Sequence, residues 1–247
     1  MKQILSILSV IAVSATAWAQ SDGPSWIQVN VVKVKPEYQS EFIELQKNEI
    51  TPFVKKSGSP WRSAWRTGVY GNSYTYVFVT PIESFADYDK PLDLDPGVAA
   101  KFTKYVADRD SYAAIYRPDL SKERDNSTPP NVIVVSDIGV APGRGAEYAE
   151  YIKNDVLPYM SDPKSGVEGF EVSQNIFGGP VTWTTVTYLP NFAFIDGGSS
   201  ASRVLDEAER RTLAKKRVGL VTSVQRSIAQ FIPELSYDAN SSSSDQE

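Results

Sequence analysis

The chain contains no cysteine and no histidine, and only two methionines in 247 residues. Without cysteine there can be no disulfide, thiol nucleophile, iron–sulfur cluster or thiolate zinc site. Without histidine there is no Ser-His-Asp triad, no imidazole base and no proximal-histidine haem. Asp, Glu, Lys, Arg, Tyr, Ser, Thr and Asn remain for chemistry. Basic side chains are the minority, 25 against 30 acidic, for a formal net charge of -5. That sign disfavours non-specific nucleic-acid binding, which needs a basic surface. No run of about 20 apolar residues suggests a membrane span. What is present, 41% apolar and 22% charged residues, is an ordinary globular balance with material for one or two domains.

The N-terminus reads as an address. Lys2 gives a short positive region, Ile4 to Val13 are mostly apolar, and Ala17-Trp18-Ala19 forms a small-residue cleavage pattern. Residues 1–19 are therefore expected to be a signal peptide cleaved near Ala19, giving a periplasmic or secreted protein. The structural alternative is an N-terminal helix of the domain. Removal of Lys2 moves the net charge to -6.

The chain repeats itself. At an offset of 106, Phe42 meets Tyr148, Leu45 meets Tyr151, Lys47-Asn48-Glu49-Ile50 meets Lys153-Asn154-Asp155-Val156, and Pro52 meets Pro158. Ser57-Gly58 matches Ser165-Gly166, and Tyr70-Gly71 matches Phe177-Gly178. The copies close on Pro118-Asp119-Leu120-Ser121 and Pro233-Glu234-Leu235-Ser236, where the offset has drifted to 115. Ordered matches over this length indicate a duplication. The expected units are 20–121 and 131–237. A polar linker spans 122–130, and a disordered serine-rich tail 238–247. Asn126-Ser127-Thr128 and Asn240-Ser241-Ser242 fit the glycosylation pattern only weakly.

Within one unit, Trp26 to Val34 is rich in β-branched residues and predicts a strand. Pro36 opens a helix with Tyr38, Phe42, Leu45 and Glu49 at helical spacing, which Pro52 should kink or end and Ser57-Gly58 should stop. Trp61 to Tyr70 predicts a second strand, Gly71-Asn72 a tight turn, and Ser73 to Thr80 a third strand. A helix from Pro96 carries Ala99, Phe102 and Val106 inward, and a short last strand covers Tyr112 to Tyr116. The order βαββαβ is a ferredoxin-like unit of an α+β fold. Two such units in tandem can pack sheet to sheet as an intramolecular pseudo-dimer, closing a barrel with helices outside and removing exposed sheet edges.

These features, the strand Trp26 to Val34, the helix from Pro36 through Pro52, the aromatic hairpin Tyr70 to Phe78 and the closing Pro118 to Ser121, resemble the dimeric α+β barrel superfamily. Its NIPSNAP-like and antibiotic-biosynthesis-monooxygenase-like branches are the most similar. The resemblance implies a fold shared by cofactor-free monooxygenases, haem-degrading monooxygenases, lactone isomerases and members without known activity, with sites between sheet and helices. Its haem-binding members use a histidine ligand that this chain lacks. No catalytic residue transfers, since the motifs do not align residue by residue, and fold alone does not give function. No cofactor and no metal is expected.

The candidate site residues are Trp61, Trp65, Arg66, Tyr74, Tyr76, Trp183, Asn30 and Asp137. In Trp61-Arg62-Ser63-Ala64-Trp65-Arg66 the tryptophans share one strand face and the arginines the other. This suggests an aromatic wall with cations for an anionic or phenolic ligand. The plainer reading is core tryptophans backed by solvated arginines. Phe170 to Ser173 stand near this position in the second copy. Tyr74 and Trp183 match between the third strands and, with Tyr76, suggest a pocket lining or simply aromatic packing. Asn30 and Ser136 match in the first strands. Asp137 beside Ser136 is the carboxylate whose pKa burial should raise, making it a possible general base. The recurrent Lys-Asn-acid triplets suggest helix-end packing with surface charges.

Three functions compete: an exported binder of a small aromatic or apolar molecule, a cofactor-independent monooxygenase or isomerase on an aromatic substrate, and a non-catalytic interaction module. A cavity touching Trp65, Tyr74 or Trp183 favours the first two, and solid packing there the third. Neither a nucleic-acid partner nor a membrane span is expected, and the chain should be a monomeric pseudo-dimer or a homodimer.

Overall fold

The computed structural model describes residues 25–67, 73–90, 94–125, 129–179 and 182–238. The proposed leader, the Gly71-Asn72 turn, both glycosylation asparagines and the tail beyond Asp238 lie outside them. Eight antiparallel strands form a closed barrel: β1 (Ser25–Val34), β2 (Trp61–Thr67), β3 (Thr75–Ile82), β4 (Val106–Tyr116), β5 (Val132–Val140), β6 (Gly169–Phe177), β7 (Thr182–Leu189) and β8 (Val221–Phe231). Around the barrel they run β3-β1-β4-β6-β7-β5-β8-β2, and β2 pairs with β3 to close it. A two-residue strand β9 (Tyr237–Asp238) adds to Trp61 and Arg62.

Helices cover the outside: α1 (Gln39–Leu45), α2 (Thr51–Lys56), α3 (Pro96–Tyr105), α4 (Gly145–Tyr151), α5 (Leu157–Ser161), α6 (Ala193–Asp196), α7 (Ser200–Val204) and α8 (Glu207–Arg217). A π-helical turn, Gln46–Ile50, joins α1 to α2, and another, Ile152–Val156, joins α4 to α5. Proline is the physical cause. Pro52 and Pro158 bring no N–H, and an α-helical approach would drive the ring into the carbonyl four residues back. The preceding amides therefore reach five residues back, Thr51 to Gln46 and Leu157 to Ile152. The helix widens at Pro52 and continues, ending at Ser57-Gly58 with Gly58 at φ +97°.

The two halves use the same register. Asn30 sits opposite Phe78 and Ser111, and Ser136 opposite Thr185 and Arg226. A bulge falls at Lys33/Val34 in β1 and at Gly139/Val140 in β5. The register corrects two sequence matches. Val32 lies opposite Tyr76 and Ile138 opposite Trp183, so Trp183 is the counterpart of Tyr76, not of Tyr74. Val106 is the first residue of β4, not the last inward residue of the helix, and β4 runs well before Tyr112. Asp238 is buried and paired with Trp61, and Lys122 bridges Phe170, so the ordered structure reaches into both segments expected to be loose.

Alternation in each strand divides the core. Ile27, Val29 and Ala114 fill one part of the barrel interior, and Trp65, Ile133, Tyr188 and Ala229 another. Outside, Phe42, Tyr76 and Phe78 pack under α1 and α3, while Tyr148, Ile152, Phe170 and Trp183 pack under α4 and α8. Burying one such side chain contributes roughly 2–3 kcal/mol. Leu120 lies in the helix–sheet core of the second half and Leu235 in that of the first. Each closing Pro-acid-Leu-Ser segment thus crosses a seam and anchors its half to the other.

Candidate functional site

A cavity of about 630 Å³ opens between sheet and helices in the second half. Its floor is the outer face of the barrel: Val134, Ser136 and Ile138 from β5, Thr185, Thr187 and Leu189 from β7, Phe170 from β6 and Val224 and Arg226 from β8. Tyr148, Tyr151, Ile152, Val156 and Tyr159 wall it from α4, α5 and the π-turn, Phe194 and Ile195 from α6, and Leu213 and Arg217 from α8. Volume and lining suit a drug-sized ligand.

The two halves differ at three outward positions that border this space. The first half fills the equivalent space with aromatic rings: Phe42 stands 5.1 Å from Tyr76, 6.3 Å from Phe78 and 6.1 Å from Phe102, centroid to centroid. By register Phe78 becomes Thr185, and at the offset of 115 Phe102 becomes Arg217. The same offset brings the Lys101–Glu49 ion pair onto Lys216–Asp155, which supports the helix alignment. Arg62, buried beneath α2 in the first half, is matched by Phe170. Two rings are lost and one gained, and the space that remains is ringed by hydroxyls and guanidinium groups.

The electrostatics are one-sided. Two arginines, Arg217 and Arg226, stand exposed at the rim, and the lining has no carboxylate among the described residues. Burial raises the pKa of the Tyr148 and Tyr151 phenols, with Arg217 opposing the shift. Burial pushes Tyr159 up to about 12, with Tyr151 adding to the rise and both arginines pulling against it. Tyrosine is neutral at neutral pH even without these shifts, so all three phenols are hydrogen-bond donors there.

The residues singled out from sequence are distributed over several places. Trp65 is 5% exposed inside the barrel, 5.1 Å from Phe231 and 6.0 Å from Tyr188, with Trp61 packed farther along the same face. Arg66 is half-buried on the outer face. Arg62 is not solvated: it is 5% exposed, donates to Gln46 Oε1 and Thr51 Oγ1 at 2.7 Å each, and stacks 4.2 Å from the Phe78 ring. Tyr74 is exposed, with φ +68°, before β3. Tyr76 is fully buried and accepts from Gln39 Nε2 at 3.0 Å. The Asn30 amide oxygen accepts from Ser111 Oγ and, at 3.0 Å, from Arg109. Asp137 points into the barrel, accepts from Thr184 Oγ1 at 2.8 Å, and has its pKa raised by burial, with the Thr184 bond opposing. None of these lines the cavity, so the expectation of a cavity touching Trp65, Tyr74 or Trp183 is not met: Trp65 and Trp183 are packed and Tyr74 is exposed. Trp183 borders it through Tyr148, whose ring lies 5.2 Å away.

Of the matched pair Asn30 and Ser136, only Ser136, which was not among the candidate site residues, is on the floor. The other lining residues carry no motif. They become visible in sequence only when the copies are compared for loss of bulk rather than for likeness. Among the described residues no cluster of three or more acidic side chains is placed to hold a metal, and no helix is long and apolar enough to cross a membrane.

No protein-family model and no curated protein matches the sequence. Solved structures match the fold. A protein of Lactobacillus acidophilus proposed as a monooxygenase aligns at TM-score 0.57 and 11% identity, over 88% of this chain and 97% of its own. An anthrone oxidase-like protein aligns at 0.61 and 12%, over 88% and 94%. A mutant chlorite dismutase from Candidatus Nitrospira defluvii aligns at 0.54 and 8%, over 87% and 94%. At these identities the likeness is one of fold: a closed eight-stranded antiparallel barrel with helices outside.

Proposed function

We propose that this protein binds one small aromatic or apolar molecule per chain, in the cavity of its second half. The observation that carries the reading is the asymmetry between copies: where the first packs Phe78 and Phe102, the second has Thr185, Arg217 and an open space of about 630 Å³. A duplicated unit with no need of a ligand would have the same reason to fill its second core as its first, because a void forfeits packing energy. The chain is two tandem ferredoxin-like units forming a pseudo-dimer, in the manner of NIPSNAP-like proteins, and the shared register and paired bulges support this. It acts outside the cytoplasm, as the Lys2, apolar and Ala17-Trp18-Ala19 pattern suggests.

Trp183 reports on the site through Tyr148. Titration with pyrenebutanol, a neutral fluorescent probe, should quench tryptophan emission with one-to-one saturation. Thr185→Phe, which restores the first half's ring, should abolish that saturation. Quenching unchanged in Thr185→Phe would place the ligand elsewhere.

The second reading, a cofactor-independent monooxygenase, is favoured by neighbours that are themselves proposed monooxygenases or anthrone oxidase-like. Here Tyr148, Tyr151 and Ser136 would orient an activated aromatic substrate toward dioxygen. Oxygen uptake with anthrone and quinol substrates tests it, and no uptake above a Thr185→Phe control would leave binding alone.

A further inference from the structure

Resting on that binding reading, we infer that the cavity selects an organic acid: an apolar body, with a carboxylate held at the rim by Arg217, Arg226 and the Tyr159 hydroxyl. Three observations carry the assignment. First, the two guanidinium groups come from separate elements, the last residue of α8 and the middle of β8, yet both line the same opening. Second, neither takes part in an ion pair among the described residues. On the same helix Arg211 is paired with Glu207 and Lys216 with Asp155. Third, among the described residues the lining contains no acidic side chain, although acidic residues outnumber basic ones in the chain.

The first half shows what these positions hold when there is no ligand to bind. Arg217 replaces Phe102, a ring packed on Phe42, and Arg226 replaces Ser111, which is satisfied by Asn30. Both changes bring a guanidinium to one mouth, while Arg109, which stands over Phe102 and donates to Asn30 in the first half, is matched by Val224 in the second. A planar guanidinium matches a carboxylate in a way a lysine would not. Tyr159, a protonated phenol in the same lining, adds a donor. The interior below is apolar and aromatic, so the ligand's body enters the cavity and its charge stays in the partly solvated rim, where desolvation is least costly.

The full-length chain can be titrated with pyrenebutyrate and with pyrenebutanol, which share ring and tether and differ in charge. Pyrenebutyrate should bind at least tenfold more tightly. Its advantage should shrink as salt is raised from about 20 to about 500 mM, since exposed charges are screened. Arg217→Gln and Arg226→Gln should each weaken pyrenebutyrate about five- to tenfold more than they weaken pyrenebutanol. These exposed substitutions leave the core intact, so they remain informative if Thr185→Phe fails to fold. Equal affinity for the two probes, or the same loss for both in the arginine variants, would overturn the anion assignment while leaving the cavity reading standing. Failure of both probes to bind would sink the cavity reading itself.

Discussion

The hydroxyl of Ser236 accepts a hydrogen bond from the backbone N–H of Ala64 at 2.9 Å, across 172 residues of chain. Its twin, Ser121, does the same for the N–H of Val172 at 3.0 Å. Each serine also donates back, to Ile232 and Arg117 carbonyls respectively. Ala64 and Val172 are wholly buried strand residues at the two seams where one half meets the other. A serine at the end of each repeat therefore satisfies a strand amide that the seam would otherwise leave unpaired. Ser121→Ala and Ser236→Ala should each cost about 1–3 kcal/mol in urea unfolding, because the buried N–H loses its acceptor. The sites are far apart, so the double variant should show the sum. A loss below about 0.5 kcal/mol for both would mean that the seams do not depend on these bonds.

Phe78 and Thr185 occupy one structural position in the two copies, with opposite packing. Phe78→Ala should destabilise by about 3–5 kcal/mol, since the ring is buried among Phe42 and its neighbours and leaves a void. Thr185→Ala should cost about 1 kcal/mol or less, because its methyl and hydroxyl already border open space. Comparable losses by thermal or urea unfolding would argue that the cavity closes in solution.

Asp137 carries a charge into the barrel interior against its burial. Its folded pKa is raised above the unfolded one, so the folded state binds the proton more tightly. Stability associated with this group is fully present below the ordinary carboxylate pKa and is lost as pH rises through the raised value. Asp137→Asn keeps an oxygen to accept from Thr184 and removes the charge. It should therefore be more stable than the parent at pH 7, with the gain disappearing as pH falls below about 4. A gain independent of pH would assign the effect to packing instead.

Arg62 is a buried cation with neutral acceptors. Burial lowers its pKa to about 10, with Tyr237 opposing the shift. Gln46, 1% exposed, depends on it for a donor. Arg62→Met should lose about 1–2 kcal/mol, chiefly from the orphaned Gln46 oxygen. Adding Gln46→Leu should return stability to within about 1 kcal/mol of the parent, as apolar replacement of a buried polar pair commonly does. A double variant less stable than Arg62→Met would show that the pair contributes beyond satisfying itself.

The sequence by itself determined many of the elements along the chain. Alternation in Trp26 to Val34, the apolar spacing of Phe42 and Leu45, the prolines at 52 and 158 and the glycine at 58 act through neighbours a few residues away, so their consequences are local and readable. Even the closing Pro-acid-Leu-Ser segments stood out, though not the partners they reach. Tertiary structure decided the rest. Whether a helix–sheet space is full or open depends on Phe42, Phe78 and Phe102 in one half, and on Tyr148, Thr185 and Arg217 in the other, meeting across dozens of residues. The two-residue slip between Tyr74 and Tyr76 keeps the face and changes the neighbours, so only the strand pairing shows which of them matches Trp183. Arg62 and Asp137 look alike from sequence as charges in strands. Only closure of the barrel sends one under a helix and the other inside, because that alone fixes which face of each strand is sealed from water.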